Sequence, residues 1–161
     1  MSYKKILVPV DGSATSNAGL NEAIGLAKTL GARLRVIHVV DLAPILGIPE
    51  GGTDFGALEN EVKRAGAKII DTALATTARQ GLRADSAMPN TQGTLVADCI
   101  VAEAKRFGAD LIVIGTHGRS GIRRILLGSN AELVVRSTQA PVLLVHGPAK
   151  RPAKRTPRRG K

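Results

Sequence analysis

Tryptophan is absent from the 161 residues, and Tyr3, Phe55 and Phe107 are the only aromatic side chains. Proteins that bind single-stranded nucleic acid stack bases on aromatic rings, so a specific reader of that kind is not expected. Cys99 is the single cysteine; no intramolecular disulfide can form, which removes the small, bridge-stapled secreted class. Apolar runs stop at about five residues, as in Ile6 to Val10, whereas a membrane-spanning helix needs about 20. The first apolar stretch ends at Asp11 without a small-residue cleavage site, too short for a signal-peptide core. These absences lead us to expect a cytoplasmic protein with no membrane insertion. The length suits one domain that buries about two-thirds of its unfolded surface and needs no metal to hold it.

Acidic residues are also missing from one place. The chain carries 23 Lys and Arg against 13 Asp and Glu, a net charge of +10. Seven of those bases, Lys150, Arg151, Lys154, Arg155, Arg158, Arg159 and Lys161, fall in residues 148–161, which contain no acid and three prolines. The remaining 16 bases and 13 acids leave residues 1–147 near +3. We therefore expect a folded domain over 1–147 and a disordered basic, Pro-rich tail over 148–161, because a segment so poor in apolar residues cannot offset the entropy of ordering. Electrostatics alone gives such a tail weak, salt-sensitive, nonspecific contact with nucleic acid or with an acidic protein.

Five strand-like segments alternate with four helical patterns. Lys4 to Val10, Arg33 to Val40, Leu82 to Met88, Asp110 to Gly115 and Pro141 to His146 have the length and β-branched content of strands. Leu111 to Ile114 and Val142 to Val145 are apolar without alternation, the pattern of central strands covered on both faces. Leu20, Ile24, Ala27 and Leu30 recur at helical spacing up to Gly31. Leu58, Val62, Ala65, Ile69 and Ala73 do so up to Gly81, and Val96, Cys99, Ile100, Ala104 and Phe107 up to Gly108. A fourth helix is expected over Asn130 to Thr138. Strict alternation predicts an α/β fold with a single doubly wound five-stranded parallel sheet flanked by four helices. Ligands of such sheets sit at the strand carboxyl ends where strand order reverses. Asp41 to Gly56, rich in Pro and Gly, reads as an irregular loop on that face, either a mobile lid or partner loop or a spacer.

After the fourth strand, Gly115, Gly118, Gly121 and Gly128 are spaced through a segment that also carries His117, Arg119, Arg123 and Arg124. Backbone without side chains can approach an anion closely. Ser129 followed by Glu132 has the pattern of a capping box, placing a helix N-terminus with its free amides beside Gly128. Each glycine alone is what any long turn needs; the set together favours a polyphosphate. No Gly-Lys-Ser/Thr follows, and Val10-Asp11-Gly12-Ser13 has one glycine, so neither a P-loop nor a dinucleotide turn is present. Asp11 is read as a ligand contact or as the cap of the first helix. His38 is read as a hydrogen-bonded core histidine and Cys99 as a buried, inert thiol.

The spacing Gly115-x2-Gly118-x9-Gly128-Ser129 resembles the signature of ATP-binding universal stress proteins. Lys5 to Ser13, His38-Val39-Val40, Asp110 to Gly118 and Ala140 to Val145 are similar to the same family, and the likeness covers residues 3–146. It implies strand order 3-2-1-4-5 and a homodimer that pairs the last strands, residues 142–145, across a two-fold axis. It further implies ATP, often with Mg or Mn on the phosphates. Asp11 would contact the nucleoside and Val39 would border adenine, while Gly115, Gly118, Gly128 and Ser129 would hold ribose and phosphates with help from the Asn130 amide. Pro9, Val10, Ile114, His117 and Arg119 complete the candidate set. The function implied is a nucleotide-binding stress-response or regulatory module and not an enzyme. A slow ATPase or autophosphorylating protein, and a nucleotide-independent interaction protein using its tail, are the alternatives. No carboxylate between Asp110 and Glu132 offers itself as metal ligand or base.

Overall fold

The computed structural model describes residues 2–46, 54–116 and 128–147. Five strands, β1 (Lys5–Pro9), β2 (Arg33–Ile37), β3 (Ala84–Ala87), β4 (Leu111–Gly115) and β5 (Val142–Val145), form one sheet in the order β3-β2-β1-β4-β5. Every neighbouring pair is parallel. Among the described residues five helices accompany them: α1 (Ala14–Leu30), α2 (Ala43–Leu46), α3 (Phe55–Arg79), α4 (Val96–Phe107) and α5 (Ser129–Ser137). The count exceeds the four expected because α2, a single turn, lies inside the stretch read as irregular. Four residues are too few to show a period in sequence. The Asp54 carboxylate accepts from the Ala57 amide at 3.0 Å, so α3 starts at Phe55, one turn before its apolar stripe declares itself.

Alternation along the central strands divides the core. Ile6 and Val8 of β1 and Leu111 and Val113 of β4 face Leu20, Ala23, Ile24 and Ala27 of α1 and Ile70 and Ala73 of α3. Leu7, Ile112 and Ile114 face the other way, onto Ala97, Ile100, Val101 and Ala104 of α4 and Ala131 and Val134 of α5. Both faces of β1 and β4 are thus closed, as an uninterrupted apolar run requires. The equally apolar β5 is an edge strand and not a central one: Leu144 is 38% exposed. Cys99 is half-buried, with Sγ 3.6 Å from the Asn90 carbonyl, so it is less enclosed than its place in the apolar stripe suggested. Among the described residues no helix is long and apolar enough to cross a membrane. The tail of residues 148–161 lies outside the described residues.

Candidate functional site

The strand order reverses between β1 and β4. The chain leaves β1 for α1 on one face, while β4 is reached through α4 on the other, so a cleft opens beyond their carboxyl ends. The cleft has a volume of about 400 Å³. Its apolar wall comes from Ile37, Val39, Val96, Ile100 and Ile114, and its polar side from Asp11, Ser13, Ser16, Ser129 and Asn130.

The polar side begins where β1 ends. The Asp11 carboxylate accepts from the Ser13 amide at 2.9 Å, and the Asp11 amide donates to Ser16 Oγ at 3.3 Å. The cap of α1 is Ser13, whose Oγ accepts from the Ser16 amide at 3.1 Å. Asp11 therefore shapes the turn into α1, with Gly12 at φ +79°, and the capping role stays with Ser13.

Beside it, β2 stops pairing with β1 before it stops pairing with β3. The Val10 amide donates to the Ile37 carbonyl at 2.8 Å, and the next parallel rung would run from the Val39 amide to the Val10 carbonyl. That rung is not made. His38 Nδ1 stands 2.7 Å from the Val10 carbonyl in its place, while the His38 and Val40 amides continue toward β3 through Ala87 and Pro89. Both main-chain polar groups of Val39 belong on the β1 side of β2. Neither has a hydrogen-bond partner among the described residues, although Val39 is 91% buried (relative exposure 9%). This leaves one main-chain donor and one acceptor at the lining of the cleft.

The third wall is the junction of β4 and α5. The Thr116 amide donates to the Val145 carbonyl at 2.9 Å and the Gly128 amide to the Thr116 carbonyl at 2.6 Å, which holds the start of α5 against the end of β4. The helix begins at Ser129 with Gly128 as its N-cap and no side-chain cap. Ser129 is thus the first helical residue and not the cap, and Glu132 pairs with Arg136 at 3.0 Å instead of completing a capping box. Gly128, Ser129, Asn130 and Ala131 line the cleft, which places the N-terminal end of α5, with the positive end of the helix dipole, at its wall.

Nine of the twelve candidates, Pro9, Val10, Asp11, Val39, Ile114, Gly115, Gly128, Ser129 and Asn130, line this one cleft. His117, Gly118 and Arg119 lie outside the described residues. Gly115 has a packing reason of its own: a Cβ there would stand 2.8 Å from the Thr15 carbonyl oxygen. Sequence reasoning missed Ser13, Ser16, Ile37, Val96 and Ile100, because in sequence they read as turn or core residues. His38, read as a core histidine, does bond the backbone, yet it also lines the cleft. Among the described residues no cluster of three or more His, Cys, Asp or Glu side chains could hold a metal ion.

Residues 2–146 match the universal stress protein family. The chain belongs to that family. A universal stress protein of Methanocaldococcus jannaschii is 37% identical over 148 residues, covering 92% of this chain and 85% of that one. Another from the same organism, known as a solved structure, superposes with a TM-score of 0.79 at 25% identity, covering 93% of this chain and all of that one. The universal stress protein of Archaeoglobus fulgidus solved in complex with dAMP gives a TM-score of 0.64 at 25% identity, with 90% and 99% covered.

Proposed function

We propose that this universal stress protein binds an adenine nucleotide, ATP foremost, in the β1–β4 cleft and acts as a regulatory module. The observation that carries the reading is the unpaired peptide edge of Val39 inside an apolar slot. Adenine presents an acceptor at N1 beside a donor at its exocyclic amine, the complement of that N–H and C=O. Guanine presents the reverse order there and meets the edge donor to donor. Ile37, Val96, Ile100 and Ile114 would enclose the ring, and the relative solved with dAMP supports the ligand class.

The phosphates would extend toward the first-turn amides of Ser129, Asn130 and Ala131, with the Asp11 carboxylate placed for the ribose hydroxyls. Gly118, His117 and Arg119 are assigned to the phosphates on the glycine spacing. Mg or Mn fits only as a passenger on those phosphates, since Asp11 is the one carboxylate among the described lining residues and it already accepts from Ser13. In this reading the protein contributes enclosure and orientation of the bound nucleotide. The exposed edge of β5 is the proposed homodimer contact, residues 142–145 pairing across a two-fold axis. The basic tail adds weak contacts with nucleic acid or acidic protein.

Calorimetry on nucleotide-stripped protein tests this. Micromolar ATP binding, at least about tenfold weaker for GTP and lost in Gly118→Val, is the expected result. A folded wild type that takes up no adenine nucleotide overturns it.

A further inference from the structure

The open edge of Val39 depends on one side chain. In the β1–β2 register Pro9 stands opposite Ile37 and therefore Val10 opposite His38, so the Val10 carbonyl is the natural acceptor for the Val39 amide. It is instead 2.7 Å from His38 Nδ1. A carbonyl only accepts, so Nδ1 carries the proton in this contact. Val10 is 95% buried (relative exposure 5%), and without the imidazole its carbonyl would need another donor, the nearest by register being the Val39 amide.

The imidazole is also held from behind. Gly66 of α3 faces the ring so closely that a Cβ there would stand 2.8 Å from His38 Cδ2 and 3.1 Å from Nε2. A glycine in the middle of a 25-residue helix costs helix propensity, and here the missing side chain is the space the ring occupies.

We propose that His38 is a positioning residue for the base subsite: by occupying the Val10 carbonyl it stops the β1–β2 ladder one rung short and keeps the Val39 N–H and C=O open to a ligand. Its consequence for affinity rests on the adenine-nucleotide reading; its consequence for the ladder does not. Gly66 and His38 form a pair in which the helix reserves room for the ring and the ring reserves the peptide edge for the ligand.

The test combines amide hydrogen exchange on the nucleotide-free protein with ATP titration, for wild type, His38→Leu, His38→Asn and Gly66→Ala. Asn places its amide nitrogen near the position of Nδ1 and keeps the donor; Leu removes it. In His38→Leu the Val39 amide should become protected by about tenfold as it closes onto Val10, and ATP affinity should fall about tenfold. His38→Asn should stay within about threefold of wild type on both counts. Gly66→Ala raises helix propensity yet crowds the ring, so it should weaken ATP binding without lowering the melting temperature, a combination that a purely structural role for His38 does not produce. If His38→Leu fails to fold, the Asn and Ala variants carry the same comparison. Unchanged Val39 exchange in a folded Leu variant, or unchanged Val39 exchange and ATP affinity in Gly66→Ala, overturns the proposal. A wild type that binds no ATP overturns the nucleotide reading alone, and the exchange result still decides the role of His38.

Discussion

Thr15, in the first turn of α1, is wedged against Gly115 at the end of β4: a Cβ on Gly115 would meet its carbonyl oxygen at 2.8 Å and its Cγ2 at 2.9 Å. Gly147, just past β5, flanks the same threonine. The first glycine of the signature spacing therefore lets a helix reach the strand ends, whatever it does for a ligand. Gly115→Ala must displace main chain, and we expect a loss of about 1–3 kcal/mol, read as a drop of several degrees in melting temperature. A neutral result would mean that α1 shifts freely.

The carboxylate of Glu103 is 6% exposed and pairs with Arg35 at 2.8 Å and with Arg106 at 2.6 Å. Arg35 in turn lies over the Phe107 ring, 4.3 Å from its centroid. Removing the shared acid leaves a largely buried guanidinium with only its longer contact to Asp85, at 3.6 Å, so Glu103→Ala should cost about 2–3 kcal/mol in denaturant unfolding. Arg106→Ala, whose side chain is 68% exposed, should cost no more than about 0.5 kcal/mol. Equal effects would show that burial does not set the strength of this network.

Asp11 separates structure from binding. Asp11→Asn keeps an oxygen for the Ser13 amide and should cost less stability than Asp11→Ala, which loses that acceptor and about 1 kcal/mol. Both remove the carboxylate proposed for the ribose hydroxyls, so both should weaken ATP by about tenfold in calorimetry. Affinity retained in the Asn variant would detach Asp11 from the ligand.

The exposed Leu144 on β5 should become tolerant of charge only if the strand is free. Leu144→Lys brings two positive charges together across a two-fold pairing of edges, and charged edge residues block strand addition. Light scattering should give a monomer of unchanged fold. A variant that stays dimeric places the contact elsewhere.

Much of this was readable in advance. The alternation of strands and helices announced a doubly wound parallel sheet, the unbroken apolar run of β4 marked a central strand as found, and the glycine spacing led to the family. The single turn of α2 was hidden because one turn has no period, and the edge position of β5 because an apolar run looks the same whether protein or solvent covers it. Ser129 was misread as a cap: the Ser-x-x-Glu pattern is present, but Glu132 turns to Arg136. The gap at Val39 was illegible in sequence. It depends on two strands parting company at His38, a long-range relation that no local pattern records.

In the proposed reading an adenine nucleotide occupies the cleft between Val39, Asp11 and the start of α5. The most direct measurement is an amide shift map on titrating ATP into nucleotide-stripped protein. The largest changes should fall on Asp11, Val39, Ser129 and Asn130. Changes centred instead on Tyr3, Asp110 and Gln139, which line a separate hollow near the starts of β1, β4 and β5, or no changes at all, would contradict it.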